Sequence, residues 1–306
     1  MSQMIGPEAD PLLDWLDLGA AIEASHQLPR ATIEDSFLYR GKDTLLSRAA
    51  WIDGLGIAVK SATVFPGNPK KGKPMIGGAV SLFDDGDGSL SAILDFHLVT
   101  KWKTAGDSLL AARKLARPDS RVILIVGAGT VGASLRAAYG AAFPKARFLI
   151  WNRTPDKARA MAEADPLMTA VTDLADAVAE ADIVTSATMS TEPLIKGDWL
   201  RPGQHIDLIG AYRPDMREAD DTALQRATVF VDSRDTTMGH IGELKIPLET
   251  GAITADDIRA DYYDMGRDPG CFARESDAQI TLFKNGGGAH LDLMVSRYIL
   301  QCWRAR

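Results

Sequence analysis

The sequence lacks the cysteine clusters and the long apolar runs that mark several classes of protein. Its 306 residues include two cysteines, Cys271 and Cys302, without a CxxC pair or Cys/His ligand spacing. We therefore expect neither a disulfide framework nor a zinc site, and no metal site is predicted. The longest purely aliphatic run, Val122–Val126, is far shorter than the roughly 20 apolar residues of a membrane-spanning helix.

An excess of basic residues is also missing. Lys and Arg number 34 against 41 Asp and Glu, so the formal net charge is −7. Broad nucleic-acid binding requires a basic surface, so this balance argues against nucleic-acid partners. The first ten residues carry neither the basic nor the apolar region of a secretory signal. We expect a cytoplasmic globular protein of one large or two smaller domains, without membrane contact.

The middle of the chain alternates short apolar segments with alanine-rich or amphipathic ones. This pattern predicts βαβ units and a parallel, doubly wound sheet, which is an α/β fold of the Rossmann type. The predicted strands are Val122–Val126, Arg147–Trp151, Asp182–Ser186, His205–Gly210 and Thr228–Asp232, and the predicted helices are Val131–Phe143 and Lys157–Glu163.

The residues before about position 108 differ in character and predict an α+β domain. The predicted strands, with a hairpin turn at residues 84–88, are Gly56–Phe65, Gly77–Phe83 and Leu90–Leu94. Thr100 is predicted to cap a helix that runs through Lys103 to about residue 116. The last stretch, Ala289–Trp303, predicts an amphipathic helix that could return to this first domain.

A GxGxxG motif, GAGTVG at residues 127–132, directly follows an apolar strand and begins an alanine-rich helix. That context indicates a dinucleotide site. The first glycine permits a tight turn, the second lets the pyrophosphate approach the backbone, and the third allows close packing of helix on strand. The helix N-terminus supplies free N–H groups for the phosphates. The predicted cofactor residues here are Gly127, Gly129, Thr130, Val131 and Gly132.

The end of the second strand indicates which dinucleotide binds. An NAD site usually carries Asp or Glu about 20 residues after the motif. Here the segment is Asn152-Arg153-Thr154, with no carboxylate before Asp156. Arg153 can pair with a 2′-phosphate and Thr154 can add a hydroxyl group. We expect NADP(H), with NAD(H) as the alternative, and a surface arginine without function as the other interpretation.

Two lysines of the first domain indicate an anion site. Lys60 would share one strand face with Ala58 and Ala62, where it either extends toward solvent at an edge or meets an anion in a pocket. Lys103 would lie in the first helical turn after Thr100. A cation there opposes the helix dipole unless a bound carboxylate is near. For each lysine, a surface position without function is the alternative.

Several spaced segments together resemble the ornithine cyclodeaminase/mu-crystallin family. The resemblance spans roughly residues 30–298 and rests on the order and spacing of its motifs. These are AVK at 58–60, FPGN at 65–68, LFD at 82–84, AILD at 92–95, TKWKTA at 100–105, GAGTVG at 127–132, VDSR at 231–234 and TLFKNGGG at 281–288, followed by residues 289–292.

The resemblance implies a homodimer whose chains each combine a Rossmann domain with a discontinuous α+β domain for substrate binding and dimerisation. We expect residues 1–110 and 287–306 to form the latter, and residues 111–286 to form the NADP-binding Rossmann domain. The resemblance also implies that Lys60 is the active-site lysine, and that Arg30 is a second carboxylate-binding arginine. Further cofactor contacts are expected from two short segments, comprising Ser186, Ala187, Thr188, Lys284, Asn285 and Gly286.

Two departures from the family pattern affect the substrate. Lys103 stands where most members carry an arginine for the substrate carboxylate, and a lysine offers only a point charge. Orientation of the substrate would then rely more on Arg30, Arg48 or Lys60. Tyr212 stands where ornithine cyclodeaminase carries an aspartate for the distal amine of the substrate. The pattern therefore resembles the reductase and alanine dehydrogenase branch, with Arg30, Arg48 and Tyr212 as expected substrate contacts.

The resemblance implies an NAD(P)H-dependent oxidoreductase that acts on CH–NH or CH–NH2 groups. The leading hypothesis is reduction of an imino acid (ketimine) such as Δ1-pyrroline-2-carboxylate to proline, with Lys60 as carboxylate binder or proton donor. The alternatives are reduction of an acyclic imine such as iminosuccinate to aspartate, an alanine dehydrogenase reaction, ornithine cyclodeamination, and non-catalytic binding of NADPH and a small ligand.

Overall fold

The computed structural model describes residues 3–306, which form two compact units. The first comprises the chain up to Lys103 together with Gly287–Arg306, and the second comprises Thr104–Gly286. In chain order the strands are β1 Gln3–Ile5, β2 Thr32–Arg40, β3 Asp43–Ile52, β4 Gly56–Val64, β5 Ile76–Phe83, β6 Leu90–Asp95, β7 Val122–Val126, β8 Arg147–Trp151, β9 Met168–Ala170, β10 Ile183–Ser186, β11 His205–Leu208, β12 Thr228–Val231, β13 Ile258–Ala260 and β14 Thr281–Lys284.

The helices alternate with these strands over most of the chain. They are α1 Trp15–Ser25, α2 Phe96–Leu115, α3 Thr130–Ala142, α4 Pro155–Glu163, α5 Leu174–Glu180, α6 Asp221–Arg226, α7 Arg234–Thr237, α8 Gly242–Thr250, α9 Tyr262–Arg267 and α10 Ala289–Arg304. Short 3-10 helices occupy Pro7–Leu12, Asn68–Lys71, Gly197–Trp199, Ala255–Asp257 and Pro269–Cys271. Within residues 3–306, no helix is both long and apolar enough to cross a membrane.

The first unit is built on a six-stranded sheet in the order β1-β6-β5-β4-β3-β2. Strand β1 is parallel to β6, and the other neighbours are antiparallel, including the β5–β6 hairpin that the sequence predicts. Helix α10 packs across β3, β4 and β5. Because side chains alternate along a strand, β4 turns Ala58, Lys60 and Ala62 to its buried face. Lys60 is thus a lysine in an apolar layer.

The second unit contains an eight-stranded parallel sheet in the order β13-β12-β14-β11-β10-β7-β8-β9. The chain runs outward from β7 through β8 to β9, and then crosses to β10 on the other side of β7. The strand order therefore reverses between β7 and β10. Open α/β sheets bind their ligands at the carboxyl ends of the strands on either side of such a reversal. The predicted α/β fold with a doubly wound Rossmann sheet and a discontinuous α+β unit is confirmed.

The predicted N-terminus of helix α2 is wrong. The helix begins at Phe96, and the side chain of Asp95 accepts a hydrogen bond from the Leu98 N–H at 2.8 Å, as an N-cap does. Thr100 therefore lies inside the helix, and Lys103 lies about two turns from its start. The helix dipole acts only within the first and last turns, so it does not account for Lys103.

Candidate functional site

Lys60 and a carboxylate from the far end of the chain form the centre of a buried cluster in the first unit. The Lys60 ammonium donates to Thr100 Oγ1 at 2.9 Å and to Asp292 Oδ1 at 3.0 Å. It also lies 4.6 Å from the centre of the Phe96 ring, within the range of a cation–π contact. Residues of strand β4, helix α2 and helix α10 thus hold the Lys60 ammonium group in place.

Lys103 reaches the same carboxylate from helix α2. Its ammonium donates to the carbonyl oxygen of Gly287 at 2.8 Å and lies 3.2 Å from Asp292 Oδ1. The side chains of Lys60 and Lys103 are each 7% exposed, and that of Asp292 is 1% exposed. The structure thus brings together the two lysines that the sequence singles out, around an aspartate that the sequence analysis does not assign to the site.

Arg48 extends this cluster. It faces Lys60 across the antiparallel pair of β3 and β4, and its guanidinium donates to the Gly287 carbonyl at 3.1 Å, the same oxygen that Lys103 contacts. Arg48 also holds Asp35 with two hydrogen bonds of 2.7 and 3.2 Å. Arg30 lies exposed in the segment between α1 and β2. Its assignment to the substrate carboxylate stays a prediction.

The cluster carries more positive than negative charge. The ammonium groups of Lys60 and Lys103 share the one carboxylate of Asp292, and Arg48 pairs with Asp35 beside them. Burial lowers the pKa of Lys103 to about 8, and the attraction of Asp292 offsets part of this effect. Burial by itself raises the pKa of Asp292, but the surrounding cations, Lys103 foremost, hold it below its ordinary value. The excess positive charge suits a small anion such as a carboxylate.

The sequence contains a signal for Asp292 that its motifs alone do not reveal. Asp292 interrupts the apolar segment Leu291–Val295 of helix α10, and the helix buries all of these residues. A buried carboxylate is seldom found without a cationic partner, so a charged residue within an apolar helical face indicates a buried ion pair. The identity of the lysine that pairs with Asp292 depends on the packing of α10 against β4, which the sequence does not show.

The glycine motif in the second unit has the geometry of a dinucleotide site. Gly127 adopts φ +118°, and a Cβ there would lie 2.8 Å from the Ala187 carbonyl oxygen. A Cβ at Gly132 would lie 2.1 Å from the Gly127 carbonyl oxygen. A Cβ at Gly129 would meet none of the described atoms within 4 Å, so the space beside it is open. Gly129 is the N-cap of helix α3 and has no side chain to cap the first N–H groups of the helix, so the residues present fit a pyrophosphate.

The end of β8 carries the residues expected at the cofactor ribose. Asn152 accepts a hydrogen bond from the Ala128 N–H at 3.0 Å and donates to the Thr154 carbonyl at 3.0 Å, which ties β8 to the glycine loop. Arg153 and Thr154 are exposed beside it. Asp156 pairs with Arg159 within helix α4. Arg153, the cation that the sequence assigns to a 2′-phosphate, is thus exposed to solvent at the end of β8.

The other predicted cofactor and substrate residues of this unit include both buried and exposed side chains. Ser186 and Thr188 hydrogen-bond the buried carboxylate of Glu218, which the sequence analysis does not identify. Lys284 is fully buried and donates to the Leu208 carbonyl at 3.0 Å. Tyr212 is 57% exposed on the loop that follows β11. Ala187 lies against Gly127 as described above, Asn285 donates to Thr104 and Ser108, and the Gly286 N–H donates to Asp232.

Comparison with known proteins gives consistent matches along the chain. The sequence model of the ornithine cyclodeaminase/mu-crystallin family matches residues 51–306. A Delta(1)-pyrroline-2-carboxylate reductase of Paracoccus denitrificans is 53% identical over 297 residues, covering 95% of this chain and 94% of the relative. The solved Delta(1)-pyrroline-2-carboxylate reductase of Thermococcus litoralis, in complex with NADH and L-proline, is 25% identical with a TM-score of 0.89, covering 99% and 98% of the two chains. An archaeal alanine dehydrogenase dimer with bound NAD is also 25% identical with a TM-score of 0.89, covering 99% and 96%.

Proposed function

Because the chain belongs to the ornithine cyclodeaminase/mu-crystallin family, we propose that it is an NADPH-dependent imino-acid reductase that converts Δ1-pyrroline-2-carboxylate to proline. The observation that carries this proposal is the buried cluster around Asp292, in which Lys60 and Lys103 share one carboxylate and the positive charge is in excess. The reductase from Paracoccus denitrificans supports the substrate, and the solved relative from Thermococcus litoralis was captured with the corresponding product.

In this proposal Lys103 binds the substrate and Lys60 protonates it. Lys103 binds the substrate carboxylate, since its ammonium and the guanidinium of Arg48 meet at the Gly287 carbonyl. Lys60 keeps a proton available to the imine nitrogen, since an iminium carbon is the better electrophile. The Thr100 hydroxyl beside Lys60 can both accept and donate a hydrogen bond, so it orients the Lys60 ammonium. Asp292 holds both ammonium groups at the positions they need.

The cofactor is assigned to the second unit. The backbone of residues 127–132 and the N-terminus of α3 would hold the pyrophosphate, and Arg153 and Thr154 would hold a 2′-phosphate. When bound, NADPH supplies the hydride that reduces the imine carbon. Both solved relatives described above were captured with NADH or NAD. Our preference for NADPH rests on Arg153 and on the missing carboxylate at the end of β8.

The proposed reaction is tested by following the oxidation of NADPH at 340 nm with a panel of substrates. Δ1-pyrroline-2-carboxylate should turn over, with proline as the product. Iminosuccinate, and pyruvate with ammonia, test the acyclic-imine and alanine dehydrogenase alternatives. L-ornithine with NAD(P) should release little ammonia, since Tyr212 provides no charged partner for its distal amine. Efficient formation of proline from ornithine, or turnover of the acyclic substrates alone, would contradict the proposal.

A homodimer formed through the first unit is part of this proposal. Strand β2 is an edge strand of nine residues whose outer half exposes Phe37, Leu38 and Tyr39 by 49–73%. Large apolar side chains on an unpaired strand edge favour pairing with a second copy of the chain. Light scattering should give twice the monomer mass of 33.0 kDa, and Leu38→Lys should shift the protein toward monomer. A monomeric wild-type protein would exclude this arrangement.

We also propose a cytoplasmic location for the enzyme. Cys271 and Cys302 are both free thiols, which a reducing compartment preserves. Fractionation of the producing cells should recover the activity with cytoplasmic markers, and recovery in a secreted fraction would contradict this assignment.

A further inference from the structure

We propose that Glu218 is a positioning residue that joins the segment Ser186–Thr188 and the segment Gly210–Tyr212 into one rigid body. The inference rests on the proposed function and on two expectations from the sequence, that the first segment contacts the cofactor and that Tyr212 contacts the substrate. Glu218 is fully buried in the second unit and touches neither the glycine motif nor the lysine cluster in any contact described above. Its two carboxylate oxygens are divided between the two segments.

One oxygen holds the segment that follows β10. Glu218 Oε1 accepts hydrogen bonds from the Ser186 hydroxyl at 2.6 Å, from the Thr188 N–H at 2.7 Å and from the Thr188 hydroxyl at 2.7 Å. Ala187, between these residues, has its carbonyl oxygen against Gly127 of the glycine motif. Fixing this segment therefore fixes one wall of the turn at which the pyrophosphate is expected.

The other oxygen holds the segment that follows β11. Glu218 Oε2 accepts from the Gly210 N–H at 2.5 Å and from the Ala211 N–H at 3.4 Å. Gly210 also packs closely on the first segment, because a Cβ there would lie 1.8 Å from the Thr188 carbonyl oxygen. The two segments thus meet at Thr188 and Gly210, and Glu218 holds both sides of the contact.

The backbone that carries this carboxylate is also held in place. The backbone N–H groups of Glu218 and Ala219 donate to the Glu243 carboxylate at 2.7 and 3.0 Å. Lys284, fully buried, attracts both Glu218 and Glu243. A rigidly supported acceptor with two backbone donors on opposite oxygens is suited to setting the distance between two loops. An amide could not accept on both sides, because one of its two ends is an NH2 donor.

The test compares Glu218→Gln with Asp182→Asn. An amide in place of the Glu218 carboxylate turns an NH2 group toward a backbone N–H of one segment, whichever way it is oriented. We expect the Kd for NADPH, measured by fluorescence titration without substrate, to rise roughly tenfold or more, together with a higher KM for the imino acid. Hydrogen exchange at the amides of Thr188 and Gly210 should accelerate in the same variant.

Asp182→Asn is the matched control, because it makes the same change from carboxylate to amide in the same unit without touching either segment. Asp182 accepts hydrogen bonds from the backbone N–H groups of Arg121 and Val122 at 2.8 and 3.1 Å and pairs with Arg201, just before β10 and at the opposite end of that strand from Ser186. This variant should retain the wild-type Kd and the exchange rates of both amides. Equal changes in the two variants would overturn the inference, because the effect would then be one of general stability.

A second variant covers the case in which Glu218→Gln fails to fold. Thr188→Val keeps the packing volume and removes a single hydrogen bond to Glu218, and it should raise the Kd for NADPH about threefold to tenfold. An unchanged Kd in Thr188→Val, or in Glu218→Gln if that variant folds, would overturn the inference. If wild-type protein binds NADPH but reduces no imino acid, the proposed function fails, while the Kd and exchange measurements still decide the role of Glu218.

Discussion

The ammonium group of Lys103 lies 3.2 Å from a carboxylate oxygen of Asp292, and both side chains are almost completely buried. A buried carboxylate between two lysines has two effects on an anion site. It favours the charged form of Lys103 and holds both lysines in position before the substrate arrives, and it neutralises part of the charge that the substrate would meet. The excess cation is then left for the substrate carboxylate, which can join the cluster without an uncompensated charge elsewhere.

Asp292→Asn should destabilise the protein and weaken substrate binding. Removing one member of a buried ion pair costs about 3–5 kcal/mol, since two ammonium groups lose their counter-charge. The pKa of Asp292 is held below its ordinary value, so its contribution to stability is present above that ordinary value and is lost as the pH falls through the lowered pKa. Urea denaturation at pH 7 measures the loss. Asp43→Asn, which breaks the exposed Arg40–Asp43 pair, is the control and should cost about 1 kcal/mol or less.

The pKa of Lys103 predicts how substrate affinity depends on pH. Because burial lowers this pKa to about 8, the ammonium loses its charge above that pH, and the KM for the imino acid should then rise. Lys103→Arg should abolish this rise, since a guanidinium stays charged throughout the accessible range. Lys103→Met should raise KM at every pH while the Kd for NADPH stays close to wild type. A wild-type KM that is flat between pH 7 and pH 9.5 would contradict the assignment of Lys103 to the carboxylate.

The sequence predicts those features that depend on local patterns. The strand Val122–Val126, the glycine motif and the helix after it need only neighbouring residues to be recognised, and the structure contains all three. The alternation along β4 likewise predicts the face of Lys60. The sequence does not specify the N-cap of α2, because Asp95 and Thr100 are both acceptable N-caps and the choice between them depends on where β6 ends.

The remaining features depend on contacts between distant parts of the chain. Asp292 meets Lys60 across 232 residues, and no pattern near either residue specifies that pairing. No pattern near Glu218 in the sequence indicates that this residue is buried between two loops. The sequence does not indicate strands β2 and β3, because neither TIEDSFLYR at 32–40 nor DTLLSRAAWI at 43–52 alternates strictly between polar and apolar residues.

The contrasting surroundings of two glycines in the cofactor motif predict different outcomes for the same substitution. Gly132→Ala places a methyl group 2.1 Å from the Gly127 carbonyl oxygen, so helix α3 must shift and both stability and nucleotide affinity should fall. Gly129→Ala meets no described atom within 4 Å and should leave the melting temperature near that of the wild type. It should still weaken NADPH binding, because the methyl group occupies the space assigned to the pyrophosphate. Unchanged nucleotide affinity in Gly129→Ala would place the pyrophosphate elsewhere.

Arg153 provides the test of cofactor preference. Its exposed guanidinium at the end of β8 is assigned to the 2′-phosphate, a group that NADPH carries and NADH lacks. Losing one charge-assisted contact costs about 1.5–3 kcal/mol, so Arg153→Ala should weaken NADPH binding by at least tenfold and leave the Kd for NADH nearly unchanged. Arg159→Ala removes the same charge from the nearby helix α4, where the arginine is already paired with Asp156, and is the control for a general electrostatic effect. Salt screens the contact between an exposed arginine and a phosphate, so the ratio of the Kd for NADH to the Kd for NADPH should also fall as ionic strength rises. A wild-type preference for NADH, or equal losses in the two variants, would show that Arg153 does not select the cofactor.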